Sequence, residues 1–248
     1  MIFDALLTLV YPQVCAICAR SVEQRKFGVA CEACWNATKI FTGEETICWK
    51  CGAPALADVA PELRDEVTCR RCDLQSFTAA RAVGLYEGAS RESVLLLKRQ
   101  PHVSKHLETL LVSAARRKPL NAGSLIIPVP LHDKRMKSRG FNQASVMAHS
   151  LSKSLGLPLD EVSLVRLSGT EQYRAGLDAK GRHDTVAGAF QVRHPRLVAG
   201  EDILLIDDVF TTGATVSACA GTLSQAGARS VFVLTIGRAI GPGNGKLF

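Results

Sequence analysis

A short run of residues near the C-terminus has side chains suited to binding a phosphorylated sugar. Two adjacent carboxylates, Asp207 and Asp208, follow four apolar residues, and a small-residue turn with Thr211, Thr212 and Gly213 comes next. Carboxylates accept hydrogen bonds from vicinal sugar hydroxyls, directly or through a divalent cation, and threonine hydroxyls donate to phosphate oxygens. The pattern therefore predicts a site for a ribose 5-phosphate.

A buried strand and the helix after it must hold these residues in place. Residues 203–206 are apolar and branched, which predicts a strand buried on both faces, and residues 214–227 have apolar side chains at helical spacing. The first N–H groups of a helix have no partner within the helix and feel the positive end of its dipole. The turn at residues 211–215 is therefore the predicted phosphate loop, which adds Ala214 and Thr215 to the site.

This run resembles the signature of type I phosphoribosyltransferases, in which an apolar strand, two acidic residues and a Thr-Thr-Gly-x-Thr loop follow one another. In that family the loop holds the 5-phosphate of phosphoribosyl pyrophosphate (PRPP), and the acidic pair contacts the ribose hydroxyls. The resemblance implies an α/β domain with a mainly parallel sheet, a ligand at the carboxyl ends of the strands, and Mg²⁺ bound together with PRPP. The alternative is an ordinary strand-to-helix connection with a polar cap, which would not require paired acids.

Eight of the nine cysteines form four Cys-x-x-Cys pairs, with gaps of 12, 13 and 17 residues between consecutive pairs. In chain order the pairs are Cys15/Cys18, Cys31/Cys34, Cys48/Cys51 and Cys69/Cys72. Two pairs supply the four thiolates of one tetrahedral zinc site, so the segment is predicted to hold two structural zinc ions. The alternatives are a disulfide framework, which a reducing compartment disfavours, and iron–sulfur ligation, whose usual spacings differ.

Pairing of consecutive motifs closes the shortest loops, and interleaved pairing is the alternative. Residues 1–78 are accordingly predicted to form a double zinc ribbon, and residues 79–248 the phosphoribosyltransferase-like domain. The ribbon segment has few large aliphatic residues, so we expect zinc to contribute on the order of 10–16 kcal/mol to its folding. The ninth cysteine, Cys219, is expected to be a small buried residue on the helix after the phosphate loop.

A second motif follows a strand predicted at residues 124–129. Pro-Val-Pro-Leu-His at residues 128–132 precedes a cluster of bases and then Arg-Gly-Phe-Asn-Gln-Ala at residues 139–144. Together with the cysteine-rich N-terminus, this motif resembles the ComF family of phosphoribosyltransferase-like proteins named for competence. By position in such a fold, the loop faces the pyrophosphate of PRPP, and Arg139 and Arg135 would stabilise its charge.

Two hypotheses for the function follow from this resemblance. If the domain is catalytic, Asp207, Asp208 and Arg139 hold the ribose and the departing pyrophosphate through an oxocarbenium-like state, without a nucleophilic side chain. The glycine-rich segment 166–190 then corresponds to the mobile loop that closes over PRPP, and its Arg182 either contacts a phosphate or fixes the segment. The rival hypothesis is a DNA-binding protein that retains the PRPP site as a sensor or a relic, because no segment predicts a purine or pyrimidine pocket.

The basic residues are concentrated in one part of the chain. The formal net charge is +7, with −2 on residues 1–80 and +9 on the rest, and segment 91–139 holds eleven Lys and Arg against three acidic residues. Single-stranded DNA is therefore predicted to bind this segment rather than the ribbons, and DNA-uptake or recombination proteins are predicted partners; a solvated basic helix face is the alternative. Because residues 134–139 would belong to both surfaces, DNA and PRPP are expected to compete.

No apolar run reaches the roughly 20 residues that a membrane span requires. Residues 1–10 are apolar but contain Asp4 and lack a basic start and a small-residue cleavage site, so we predict a short packing helix of a cytoplasmic protein. The remaining predicted elements are strands at residues 82–86 and 231–237 and helices at residues 91–100, 103–117 and 143–155.

Overall fold

Strands and helices alternate through the C-terminal two thirds of the chain in a computed structural model, which describes residues 13–55, 59–167 and 188–240. The strands in these ranges are β1 Ala79–Leu85, β2 Leu125–Pro128, β3 Leu164–Arg166, β4 Phe190–Val192, β5 Asp202–Phe210 and β6 Ser230–Arg238. The α-helices are α1 Glu32–Asn36, α2 Gly88–Leu97, α3 Lys105–Ala115, α4 Asp133–Arg139, α5 Gln143–Leu155, α6 Pro195–Val198 and α7 Ala214–Gln225. Short 3₁₀ turns lie at Arg25–Phe27, Pro61–Glu66, Arg70–Cys72 and Leu120–Ala122.

Four parallel strands form the central sheet in the order β1-β6-β5-β2, while β3 and β4 form a separate antiparallel pair. The two central strands contain continuous buried apolar runs at residues 203–206 of β5 and residues 231–234 of β6, as expected for parallel strands covered on both faces. β5 extends beyond the predicted residues 203–206, because its ladder with β6 continues to the pair Phe210 and Arg238. Asp207 and Asp208 therefore lie within the last part of the strand rather than after it.

Each face of the sheet buries its own hydrophobic core. Leu204 and Ile206 belong to the core under α2, α3 and α5, whereas Ile203 and Leu205 belong to the core under α7 and the β3–β4 pair. This division follows from the strand geometry, in which successive side chains point to opposite faces. The predicted α/β fold with a parallel sheet is thus confirmed.

The two predicted zinc ribbons, the first with the cysteines of residues 15–34 and the second with those of residues 48–72, are divided between the two cores. Trp35 of the first ribbon is buried in the core that contains α3, and its ring lies 4.7 Å from the ring of His106. Phe77, which follows the second ribbon, is buried in the other core and makes an edge-to-face contact with Phe210 at 5.7 Å. The N-terminal segment is therefore part of the packing of the sheet.

The ribbons also pair with β1, which is an edge strand of the sheet. The N–H of Phe41 donates to the carbonyl of Val83 at 2.8 Å, and the N–H of Leu85 donates to the carbonyl of Lys39 at 2.9 Å. Gly84 permits this close approach, because a Cβ there would lie 2.3 Å from the Lys39 carbonyl oxygen. An edge strand that would otherwise expose unpaired backbone groups is thereby covered.

The basic segment after β2 differs from its prediction as a loop, because residues 133–139 form α4. His132 Nδ1 accepts the N–H of Lys134 at 3.2 Å, and Gly140 ends the helix with φ +82° while its N–H donates to the carbonyl of Met136 at 2.8 Å. A capping side chain before the helix and a left-handed glycine after it are ordinary helix boundaries. They outweigh the repulsion between the bases of this segment.

Other element boundaries shift by a few residues. α2 begins at Gly88, three residues before the predicted start, and β1 begins at Ala79 rather than residue 82. The helix predicted at residues 143–155 is confirmed at both ends, and Asn142 Oδ1 caps it by accepting the N–H of Ala144 at 3.0 Å. The predictions for residues 1–10 and for Arg182 fall outside the described residues.

None of the described helices is long and apolar enough to cross a bilayer.

Candidate functional site

The eight paired cysteines form two compact sulfur clusters. Within each cluster, one made of the first two pairs and one of the last two, all four Sγ atoms lie within 4.8 Å of one another. The Sγ–Sγ distances are 3.7 Å for Cys18–Cys31 and 3.5 Å for both Cys48–Cys72 and Cys51–Cys69. A tetrahedral zinc ion with bonds of about 2.3 Å separates its sulfurs by about 3.8 Å, so each cluster fits one zinc ion. The consecutive pairing is confirmed, and interleaved pairing is excluded.

Backbone and side-chain donors surround the second cluster. The N–H of Cys69 donates to Cys48 Sγ at 3.3 Å, which suits a thiolate that carries negative charge. Arg238, at the end of β6, donates through Nη2 to Cys51 Sγ at 3.5 Å and through Nη1 to the Cys51 carbonyl. Its guanidinium also lies 4.0 Å from the ring centroid of Phe210. Arg238 therefore links the second zinc site to the end of the strand that carries the acidic pair.

The acidic pair is held by contacts from two helices. Lys98, at the C-terminal end of α2, places Nζ 3.2 Å from Asp208 Oδ2, and Gln143, the first residue of α5, donates from Nε2 to the same oxygen at 3.1 Å. The N–H of Asp208 donates to Asp207 Oδ1 at 2.8 Å. Asp208 thus receives both the ammonium group and the carboxamide, whereas Asp207 accepts the backbone N–H of Asp208.

The two carboxylates differ in their electrostatic surroundings. Burial raises the pKa of Asp207 to about 7, and the negative charge of Asp208 acts in the same direction. The N–H of Asp208 and the ammonium of Lys98 lower the pKa of Asp207 but do not cancel this increase. A cation or ligand that enters at neutral pH would therefore meet a carboxyl group close to its titration point.

The raised pKa of Asp207 predicts a pH-dependent effect of replacing it. An acid whose pKa is raised by folding favours the native state at low pH, and this contribution is lost as the pH rises from about 4 to about 7. Asp207→Asn removes the charge and keeps an acceptor for the Asp208 N–H. We expect the variant to be more stable than wild type by about 1–3 kcal/mol at pH 8 and equally stable below pH ~4, as measured by urea unfolding across pH.

Asp202 is the matched control on the same strand. Its hydrogen bond to Arg229 lowers its pKa, so Asp202→Asn should lose stability at neutral pH and converge with wild type in acid. Stability changes of opposite sign in the two variants would support the assignment. A parallel pH dependence of the two would contradict it.

The predicted phosphate loop begins directly after β5. Gly213 adopts φ +81° and is the N-cap of α7, and Thr211 and Thr212 are exposed beside it. The N–H of Ala214 reaches Thr212 Oγ1 at 3.4 Å. A Cβ on Gly213 would lie 2.6 Å from Phe210 Cζ, so only glycine fits this turn. The loop therefore has a defined backbone and exposed hydroxyls at a helix N-terminus.

Helix α4 is connected to the acidic pair through the side chain of Gln143. Arg139, the last residue of α4, donates from Nη1 to Gln143 Oε1, while the amide nitrogen of Gln143 donates to Asp208. The structure thus brings together Asp207, Asp208 and Arg139, whereas Arg135 is exposed on α4. Gln143 was not among the predicted site residues, although the Arg-Gly-Phe-Asn-Gln-Ala motif contains it.

Two bases of the predicted DNA-binding segment are engaged elsewhere. Lys98 forms the ion pair with Asp208, and Arg117 donates from Nη1 to the carbonyl of Thr42 in the ribbon segment at 2.9 Å. Burial lowers the pKa of Arg117. Neither contact has a local sequence signal, because each joins residues that are far apart in the chain.

Cys219 lies on α7 and is fully buried. Burial raises the pKa of its thiol well above the ordinary value, and the nearby charge of Asp207 adds to this effect. A buried neutral thiol is a poor nucleophile, so the expectation of a small core residue is confirmed.

These features define an α/β protein with a parallel sheet and two four-cysteine clusters, and residues 6–73 match the double zinc ribbon domain family. The chain belongs to the family of the DNA utilization protein YhgH. It is 30% identical to that protein from Shigella flexneri over 240 residues, which cover 94% of this chain and all of that protein. It is also 26% identical to competence protein ComFC of Bacillus subtilis, with 84% of each chain covered. Competence protein F of Haemophilus influenzae shares 33% identity over 127 residues, which are 51% of this chain and 55% of that protein.

Two enzymes with phosphoribosyl in their names are among the solved structures that partly overlap with this chain. Glutamine PRPP amidotransferase from Bacillus subtilis overlaps 68% of this chain and 30% of its own, with 15% identity and a TM-score of 0.37. A hypoxanthine phosphoribosyltransferase from Staphylococcus aureus overlaps 60% of this chain and 74% of its own, with 15% identity and a TM-score of 0.31. At these scores the overlap is partial, and the order and direction of the strands define the fold.

Proposed function

We propose that this protein binds PRPP at the end of β5 and acts in DNA uptake or use. The observation that carries the proposal is the arrangement of Asp208, Gln143 and Arg139, which places acidic and basic groups next to a glycine-capped helix. PRPP combines vicinal hydroxyls, a 5-phosphate and a pyrophosphate, and each part has a chemically matched partner here. The names of the relatives, DNA utilization protein and competence protein, support the biological role.

Each part of PRPP has its own group of proposed partners. The carboxylates of Asp207 and Asp208 would hold the ribose hydroxyls. The phosphate loop would hold the 5-phosphate through Thr211, Thr212, Gly213, Ala214 and Thr215. Arg139 and Arg135 would stabilise the pyrophosphate, with Arg182 as a further candidate from the family resemblance.

The oxygens of the same carboxylates are hard ligands of the kind that Mg²⁺ prefers, and they would hold Mg²⁺ together with PRPP. A bound Mg²⁺ would neutralise part of the charge on the pyrophosphate. If transfer takes place, the bond between C1 of the ribose and the pyrophosphate oxygen breaks, and an acceptor forms the new bond to C1. Arg139 would then stabilise the charge that develops on the departing pyrophosphate.

Calorimetric titration of PRPP with Mg²⁺ into the zinc-loaded protein tests this proposal. We expect micromolar binding to wild type and at least a ~100-fold loss in the Asp207→Asn, Asp208→Asn double variant, because both partners of the ribose hydroxyls lose their charge. Asp202→Asn is the control, since it removes a carboxylate from the far end of the same strand.

The outcome of the titration decides the next step. Binding that the double variant loses would justify screening bases for release of pyrophosphate. A well-folded, zinc-loaded wild type that does not bind PRPP would refute the proposal and make DNA binding the leading function.

A second candidate function is binding of single-stranded DNA along α3. An open groove of about 520 Å³ lies there and is lined by Lys105 and Arg116 together with Glu108 and Ser154. Arg116 and the nearby Lys118 are exposed, so both can meet phosphates. Arg117 also lines the groove, but it is held by the ribbon segment and is less suitable for a test.

Charge reversal at the two exposed bases tests DNA binding. Arg116→Glu with Lys118→Glu should weaken binding of a labelled oligonucleotide by at least ~10-fold and reduce the salt slope by about 1–2, as measured by fluorescence anisotropy. Arg196→Glu on α6 is the control. Unchanged DNA affinity would refute this surface, and unchanged DNA affinity in saturating PRPP would refute competition between the two ligands.

A further inference from the structure

Gln143 occupies a position between two opposite charges. Its Oε1 accepts from Arg139 Nη1, and its Nε2 donates to Asp208 Oδ2 at 3.1 Å. The residue is 6% exposed, so water does not compete freely for either end of the amide. Both ends of one neutral side chain are therefore used, one on each side of the site.

The chemistry of a carboxamide is specific to this position. Arg139 offers only donors and Asp208, when ionised, offers only acceptors, so a bridging group must accept at one end and donate at the other. Direct pairing of the two would neutralise both charges and compete with a ligand for each. A neutral amide between them orients both groups without neutralising either.

The start of α5 fixes where the amide lies. Asn142 Oδ1 caps the helix, and Asn142 Nδ2 donates to the carbonyl of Val129 at 2.9 Å, which ties the helix start to the end of β2. Lys98, at the end of α2, places its Nζ 3.2 Å from Asp208 Oδ2 and is independent of α5. Within the described part of the chain these are the two side-chain donors to Asp208, and Gln143 is the one that also contacts Arg139 of α4.

We propose that Gln143 is a positioning residue that couples the pyrophosphate side of the site to the ribose side. This inference rests on the proposed function, because it concerns a ligand that carries both groups. Such a ligand gains from having Arg139 and Asp208 oriented at once, whereas a ligand with only one of the groups gains little. Gln143 therefore favours sugar phosphates that carry a pyrophosphate over those without one.

The test compares PRPP with Mg²⁺ and ribose 5-phosphate in wild type and in Gln143→Met, which has similar length and no hydrogen-bonding end. PRPP affinity should fall roughly 10- to 100-fold, the effect of losing buried hydrogen bonds to charged groups, while ribose 5-phosphate affinity should change by less than about threefold. Gln225→Met is the control, because Gln225 is exposed at the C-terminal end of α7, away from the phosphate loop at its N-terminus. Calorimetry measures both ligands.

A double-variant cycle tests whether Gln143 acts through Arg139. Arg139→Met alone should lower PRPP affinity, and adding Gln143→Met should lower it little further, because the guanidinium that the amide orients is already gone. Additive losses would overturn the inference. An equal loss for PRPP and ribose 5-phosphate would also overturn it, because a purely structural role affects both ligands alike.

Gln143→Glu provides a second test if the methionine variant does not fold. Glutamate keeps an acceptor for Arg139 but replaces the donor to Asp208 with repulsion, so ribose 5-phosphate should bind more weakly and Mg²⁺-pyrophosphate should not. The opposite pattern would overturn the inference. A wild type that binds no PRPP would refute the proposed function and this inference together, whereas failure in the variants alone would refute only the inference.

Discussion

Cys51→Ser is expected to reduce bound zinc from two ions to one per chain. We expect the variant to be largely unfolded already at ambient temperature, so that it shows no cooperative unfolding transition on heating. A structural zinc site contributes on the order of 10–16 kcal/mol in small domains, which is comparable to the whole stability of a typical protein, about 5–15 kcal/mol. The second cluster lies in the same core as α7 and the inner strands, so the damage should reach the sheet. Atomic emission measures the zinc, and circular dichroism during heating measures the unfolding.

Cys219→Ala is the control for this experiment, since Cys219 is a buried cysteine that lies outside both clusters. It should leave two zinc ions bound and lower the free energy of unfolding by about 1 kcal/mol through the small cavity. If Cys51→Ser retained two zinc ions and the wild-type melting temperature, the proposed ligand set would be wrong.

Gly213→Ala is expected to abolish PRPP binding and to lower the free energy of unfolding by about 2–4 kcal/mol. A residue with a Cβ loses about 1–2 kcal/mol in the left-handed region, and here the Cβ would also lie 2.6 Å from Phe210 Cζ. Phe210 cannot move aside easily, because it is packed between Phe77 and the guanidinium of Arg238. The loop must therefore shift, and with it the N–H groups and hydroxyls proposed to hold the phosphate.

Gly156→Ala separates backbone strain from the clash. Gly156 has a similar φ of +70°, but a Cβ there would meet nothing within 4 Å. It should lose only about 1 kcal/mol and leave PRPP affinity unchanged. Urea unfolding and calorimetric titration of both variants check the two parts. Equal effects at the two glycines would contradict a special role for the packing around Gly213.

Local signals were sufficient for much of the fold. Cysteine spacing predicted both sulfur clusters, because a zinc ligand pair is defined by two residues three apart. The sequence pattern predicted the helix at residues 143–155, and the apolar run before Asp207 predicted β5. Even the helix within the basic segment had its signals, His132 before it and Gly140 after it.

The contacts that complete the candidate site depend on tertiary structure. Lys98 and Asp208 are far apart in the sequence, and nothing in the sequence around Lys98 distinguishes it from the neighbouring Arg99. β3 and β4 contain three residues each, too few for an alternating pattern to be recognised. β5 continues through two aspartates, which have low strand propensity, because its ladder with β6 continues.

The pairing of ribbon residues with β1 has a consequence for how this protein can be divided. A fragment or chimera that begins at residue 79 would carry a bare strand edge and would lose Trp35 from one core and Phe77 from the other, so we expect copies of it to associate edge to edge. We therefore do not expect the sheet domain to fold independently of the N-terminal zinc-binding segment. We therefore expect the solubility of the sheet to depend on zinc, because the zinc-binding segment covers the edge strand.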